Sequence, residues 1–105
     1  MTDYNLEKLF EDLLEKKKFD KDTSYTASLL LNKNLLARKI GEESLEVILE
    51  FLNNHKENTI KESADLLYHL VVVWISSNIK PVDVWNELQK RKGVSGIDEK
   101  KNRLS

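Results

Sequence analysis

Glycine and proline together occupy only four of the 105 positions, three Gly and one Pro. Average usage would supply about 12%, so this chain has few places to turn sharply and its elements must be long. An all-β sandwich needs a turn roughly every 8–12 residues, and this chain cannot furnish them. The apolar residues are spaced accordingly. Leu6, Leu9, Phe10, Leu13 and Leu14 recur at helical intervals and predict a first helix from Tyr4 to about Lys18, with Asp3 as its cap. Glu7, Glu11 and Glu15 lie opposite that stripe as a solvated face. A short apolar piece, Tyr25 to Leu31, comes next. Asn34 is a candidate cap for a third helix, from about Leu35 to Leu52. Its apolar set is wide, so burial over much of its circumference is expected. Gly41 inside it suggests a close approach to the backbone, since an interior Gly costs about 1 kcal/mol against Ala. A fourth helix, Thr59 to Ser77, is apolar all round in its C-terminal half, which marks it as central. Pro81 opens a fifth, to about Lys92, at the favoured first position.

The fold class expected is therefore all-α, four to five helices in an antiparallel bundle. Residues 1–92 would form the domain and residues 93–105 a flexible C-terminal tail. Seventeen basic and eighteen acidic residues give a net charge of −1, which supplies no field for nucleic acid or an anionic membrane. The absence of cysteine removes disulfides, thiolate zinc sites and cysteine nucleophiles. No apolar run approaches the ~18 residues of a membrane span, and the charged N-terminus does not read as a secretory signal. A cytoplasmic location is expected. A chain this short buries a modest core, which favours oligomerisation.

Two groups of acids do not read as solvated surface. Glu43 and Glu46 are three apart on one helix face, and Glu42 and Glu46 are four apart; Glu62 and Asp65 are again three apart. Like charges at these spacings repel. Fifteen residues separate Glu46 from Glu62, enough to end one helix, turn, and return antiparallel so that the two groups face each other. Carboxylates converging between apolar helices call for a cation. Oxygen-only ligands favour Mg²⁺ or Mn²⁺ over Zn²⁺, and two adjacent metals suit a phosphoryl displacement. Beyond Asp65, Tyr68 and His69 follow at three and four residues. Solubility alone is the competing explanation for these acids, and it would make the chain a non-catalytic helical interaction module.

The order E-E-x-x-E, gap, E-x-x-D resembles the signature of the all-α nucleoside-triphosphate pyrophosphohydrolases, the MazG-like superfamily. The blocks Ser24-Tyr25-Thr26, Lys39-Ile40-Gly41-Glu42-Glu43, Ala64 to Leu70 and Ser95 to Lys100 are similar to the phosphoribosyl-ATP pyrophosphohydrolase family. The resemblance implies a Mg²⁺-dependent hydrolysis of phosphoribosyl-ATP to phosphoribosyl-AMP and pyrophosphate, in histidine biosynthesis, by a helical homodimer. A house-cleaning nucleotide pyrophosphohydrolase is the alternative within the superfamily. The resemblance also implies that Glu43, Glu46, Glu62 and Asp65 hold metal, with Glu42 a supporting acid or base. Lys39 would contact phosphate oxygens or pair with Glu43. Thr26 and Ser24 would contact substrate, Ser24 alternatively capping a helix. Tyr68 and His69 would meet the substrate or pack in the core. Trp74 and Trp85 are most simply core or interface. Lys100, Lys101 and Arg103 would close over a triphosphate or remain a free basic tail, with Gly93 and Gly96 as flexible points.

Overall fold

The computed structural model describes residues 3–93. Over these the chain is all-helical. α1 is Leu6–Glu15, tightening into a 3₁₀ turn at Lys16–Lys18; α2 is Tyr25–Leu30, α3 Lys33–Leu52, α4 Lys56–Ser76 and α5 Pro81–Lys90. α3 and α4 form a long antiparallel hairpin. α1 and α2 pack on α4, α2 also touches α3, and α5 leans on α1.

With so little glycine, asparagine shapes the ends of the helices. Asn5 rather than Asp3 caps α1, its side chain accepting from the Lys8 N–H, and Asn32 rather than Asn34 caps α3, accepting from Leu35. Asn54 and Asn78 both take φ of +59°, the left-handed conformation that asparagine tolerates better than other side-chain-bearing residues. Around Asn54 the His55 N–H returns to the Glu50 carbonyl and the Asn54 N–H to Phe51. Around Asn78 the Ile79 N–H returns to Trp74 and the Asn78 N–H to Ile75. Both are Schellman closures, the arrangement usually built on glycine. The first closes so tightly that His55 is already the N-cap of α4. That helix therefore starts three residues before the Thr59 expected from apolar periodicity.

The core gathers Leu13, Leu29, Leu36, Val71, Val72, Trp74 and Ile75, ringed by Leu6, Leu9, Phe10, Tyr68 and Val84 among others. α5 adds its Trp85 edge-on to Trp74, with centroids 6.4 Å apart. The Trp85 indole N–H donates to Glu7 of α1, so this acid is not simply solvated.

α3 departs from expectation. Within the chain it buries only Leu36. Its outer stripe, Leu45, Ile48, Leu49 and Leu52, keeps helical spacing yet stays 46–67% exposed, and Phe51 is exposed beside it. The helix carries two apolar faces, and only one meets α4. Gly41 is likewise unlike its expectation: a Cβ built there meets nothing within 4 Å.

Candidate functional site

The inner face of α3 runs through Leu36, Ile40, Glu43 and Val47, spaced by three, four or seven residues. Glu43 thus occupies a position in the seam where its neighbours along the stripe are apolar. On α4 the matching stripe runs Thr59, Glu62, Leu66, and Glu62 holds the equivalent place. Both glutamates are half-buried; Asp65, one turn on, is exposed. Glu43, Glu62 and Asp65 each bring a carboxylate oxygen to a common point, all within 4.8 Å of one another.

The electrostatics register this crowding. The Glu62 carboxyl is pushed above its ordinary value, first by burial, then by its hydrogen bond with Glu43, then by the charges of Glu43, Asp65 and Glu46. Two carboxyl groups share a hydrogen bond only if one carries a proton. A divalent cation would substitute for that proton and relieve the remaining repulsion. The donor set, three carboxylates with no sulfur or imidazole, is the chemistry that hard cations take. The residues present fit such an ion.

The other acids sit differently. Glu46 is exposed and outside the trio that meets, although its charge reaches Glu62. Glu42 is exposed and engages Lys39 at 3.6 Å. The lysine thus pairs within α3, with Glu42 rather than Glu43.

The Ser24-Tyr25-Thr26 block lies against the turn of α4 just beyond Asp65. The Ser24 hydroxyl caps α2 by accepting from the Ala27 N–H. Thr26 is buried, and its hydroxyl meets the Tyr68 hydroxyl at 2.5 Å. The Tyr25 hydroxyl lies 3.1 Å from His69 Nε2, and His69 Nδ1 lies 2.8 Å from the Asp65 backbone carbonyl. The Tyr25 and Tyr68 rings stack at 6.1 Å, and the imidazole stands edge-on to both. Burial pushes the Tyr68 hydroxyl up, partly offset by its bond to Thr26 and reinforced by Tyr25. Two blocks more than forty residues apart in the chain therefore meet side chain to side chain. Tyr25 stands in the Ser24-Tyr25-Thr26 block but had no role of its own there; its hydroxyl partner became visible only with the fold. The positions from Ser95 onward, including Lys100, Lys101 and Arg103, lie outside the described residues.

Fold and site together define an all-α protein whose central hairpin carries a carboxylate-only cluster suited to a hard cation. A family model described as phosphoribosyl-ATP pyrophosphohydrolase matches residues 6–92. The phosphoribosyl-ATP pyrophosphatase of Paramagnetospirillum magneticum is 44% identical over 99 residues, covering 93% of this chain and 91% of that protein. The phosphoribosyl-ATP pyrophosphatase of Azospirillum brasilense is 42% identical over 101 residues, 95% of this chain and 91% of that protein. That of Gluconobacter oxydans is 41% identical over 96 residues, 90% of this chain and 72% of that protein. The chain belongs to the phosphoribosyl-ATP pyrophosphohydrolase family. No helix among the described residues is long and apolar enough to cross a membrane.

Proposed function

We propose that this chain hydrolyses phosphoribosyl-ATP, with one water, to phosphoribosyl-AMP and pyrophosphate in histidine biosynthesis. The observation that carries the reading is the trio Glu43, Glu62 and Asp65, whose oxygens converge within 4.8 Å on a chain of this family. These three residues, joined by Glu46, would hold Mg²⁺, with Mn²⁺ as a substitute. The ion would neutralise phosphate charge and polarise the anhydride bond that breaks. Glu42 is the supporting acid beside the cluster. Lys39, paired with Glu42 along α3, would turn its charge toward phosphate oxygens when substrate is bound. Ser24, Thr26, Tyr68 and His69 form the wall of the site on the α2 side. In this reading residues 1–92 are the catalytic domain, residues 93–105 its tail, and the protein works in the cytoplasm.

The protein acts as a homodimer in the same reading. The stripe of Leu45, Ile48, Leu49 and Leu52 supports this, because four exposed apolar side chains at helical spacing are what a helix presents to another helix.

The test is pyrophosphate release from phosphoribosyl-ATP with Mg²⁺, beside a panel of ordinary nucleoside triphosphates. Release from phosphoribosyl-ATP alone supports the reading. Cleavage of the ordinary triphosphates instead would mark a house-cleaning enzyme. Cleavage of neither would mark a non-catalytic helical module.

A further inference from the structure

We propose that Tyr25 and His69 are positioning residues that pin the first turn of α2 to the turn of α4 bearing Asp65, and so set where the Asp65 carboxylate stands against Glu43 and Glu62. The proposal rests on the metal-site reading above.

Asp65 is the exposed member of the trio, so packing around its own side chain does little to hold it. Its backbone is held instead. In a helix its carbonyl accepts the N–H four residues on, and here it also accepts from His69 Nδ1 at 2.8 Å. A carbonyl cannot donate, so Nδ1 carries the proton. The far nitrogen, Nε2, faces the Tyr25 hydroxyl at 3.1 Å, which donates to it when the ring is neutral. Both nitrogens of a side chain only 5% exposed are thereby used. The imidazole has none left for substrate or metal.

α2 needs such a fastening. It has six residues, too few to persist as a helix by itself. The stretch before it, residues 19–23, is exposed throughout. Consecutive residues of α2 bond consecutive residues of α4: Tyr25 to His69, and Thr26 to Tyr68. The Tyr25–Tyr68 stack closes the set. The two motif blocks are thus the two halves of one lock, with the Asp65 carbonyl as its last link.

Orienting partners of metal ligands typically change metal affinity or activity by roughly 10- to 100-fold. The test uses the full-length chain and two substitutions. Tyr25→Phe removes one hydroxyl and keeps the ring stack. His69→Asn keeps an N–H that can reach the Asp65 carbonyl but cannot reach Tyr25. Mn²⁺ binding is titrated without substrate by electron paramagnetic resonance, and kcat and KM for phosphoribosyl-ATP are measured with Mg²⁺. Each variant is expected to bind Mn²⁺ more weakly and to lose kcat, by roughly 10-fold or more, with KM unchanged. The double variant is expected to be no worse than the weaker single one, since both remove the same bond.

A Tyr25→Phe protein with wild-type Mn²⁺ affinity and kcat overturns the proposal. So does a raised KM with Mn²⁺ affinity intact, which would make these residues substrate contacts. A lowered melting temperature with neither kinetic nor Mn²⁺ change also overturns it, leaving a purely structural bond. If His69→Asn fails to fold, Tyr25→Phe decides alone. Wild-type protein that binds Mn²⁺ but leaves phosphoribosyl-ATP intact refutes the proposed reaction while the Mn²⁺ titrations still decide the lock. Wild-type protein that binds no Mn²⁺ refutes the lock, while pyrophosphate release still decides the reaction.

Discussion

From His69 to Ile75, α4 buries five side chains, whereas from Lys56 to Leu66 the same helix buries none. The C-terminal stretch is wrapped by α1, α2 and α5. The N-terminal stretch lies chiefly along α3, and the residues it offers to that seam include Glu62, with Asp65 at its margin. One half of the helix is devoted to holding the bundle together, and the other keeps charge partly out of water. The contrast teaches that stability and chemistry are separated along a single element. Substitutions in the two halves should therefore fail in different ways.

The sharpest way to break this separation pairs two substitutions. Leu29→Ala, at a fully buried core position packed with the C-terminal half, should cost about 2–5 kcal/mol. That is a large share of the 5–15 kcal/mol typical of a whole domain, and denaturant melts will show it. Glu62→Gln should do the reverse. Turnover should fall by roughly 100-fold or more, the upper end of what loss of an outer partner alone costs. The metal-free melting temperature should hold or rise. If Glu62→Gln unfolds the protein, the two halves are not separable.

Next in size is the outer stripe of α3. Leu49→Glu places a charge among Leu45, Ile48 and Leu52 and should convert the proposed dimer to a monomer in light scattering, with the helical content retained. An unchanged mass would show that a second copy does not cover this face.

A smaller effect concerns pH. Glu62 titrates above its ordinary value in the folded chain. The stability tied to it is fully present below its unfolded pKa and is lost as pH rises through the folded one. In chelator, the wild-type melting temperature relative to Glu62→Gln should therefore be higher near pH 5 than near pH 7. Glu87, held below its usual range chiefly by its Arg91 bond, acts in the opposite sense but cancels in that difference. Smallest of all, Glu87→Gln breaks that exposed pair of α5, 2.9 Å apart, and should leave melting and turnover unchanged, as exposed pairs usually do.

Much of this was legible in the chain itself. The stripe of α1, the all-apolar end of α4 and Pro81 at the start of α5 announced the helices, because those signals are local. The acids stood out because their spacing is meaningful within one helix. What was not legible depended on registers set elsewhere. Asn5 and Asn32 outcompeted Asp3 and Asn34 as caps because the true first turns begin where their side chains reach an N–H three residues on. The second apolar face of α3 reads in the sequence as buried because apolar residues predict burial without saying by what. The bond from Tyr25 to His69 spans 44 residues, and no periodicity encodes a contact between helices at that distance. Glu7 looked like solvated surface because nothing nearby in sequence hinted at Trp85.

The placement of Glu43 and Glu62 within the seam has a mechanical consequence. Where a leucine would clamp the two helices together under all conditions, a pair of carboxyl groups clamps them only when a proton or a cation lies between. The free end of the hairpin therefore has a stiffness set by the medium rather than by packing alone. Amide exchange along residues 43–66 should slow as that charge is neutralised, while the segment from His69 to Ile75 keeps its own pace.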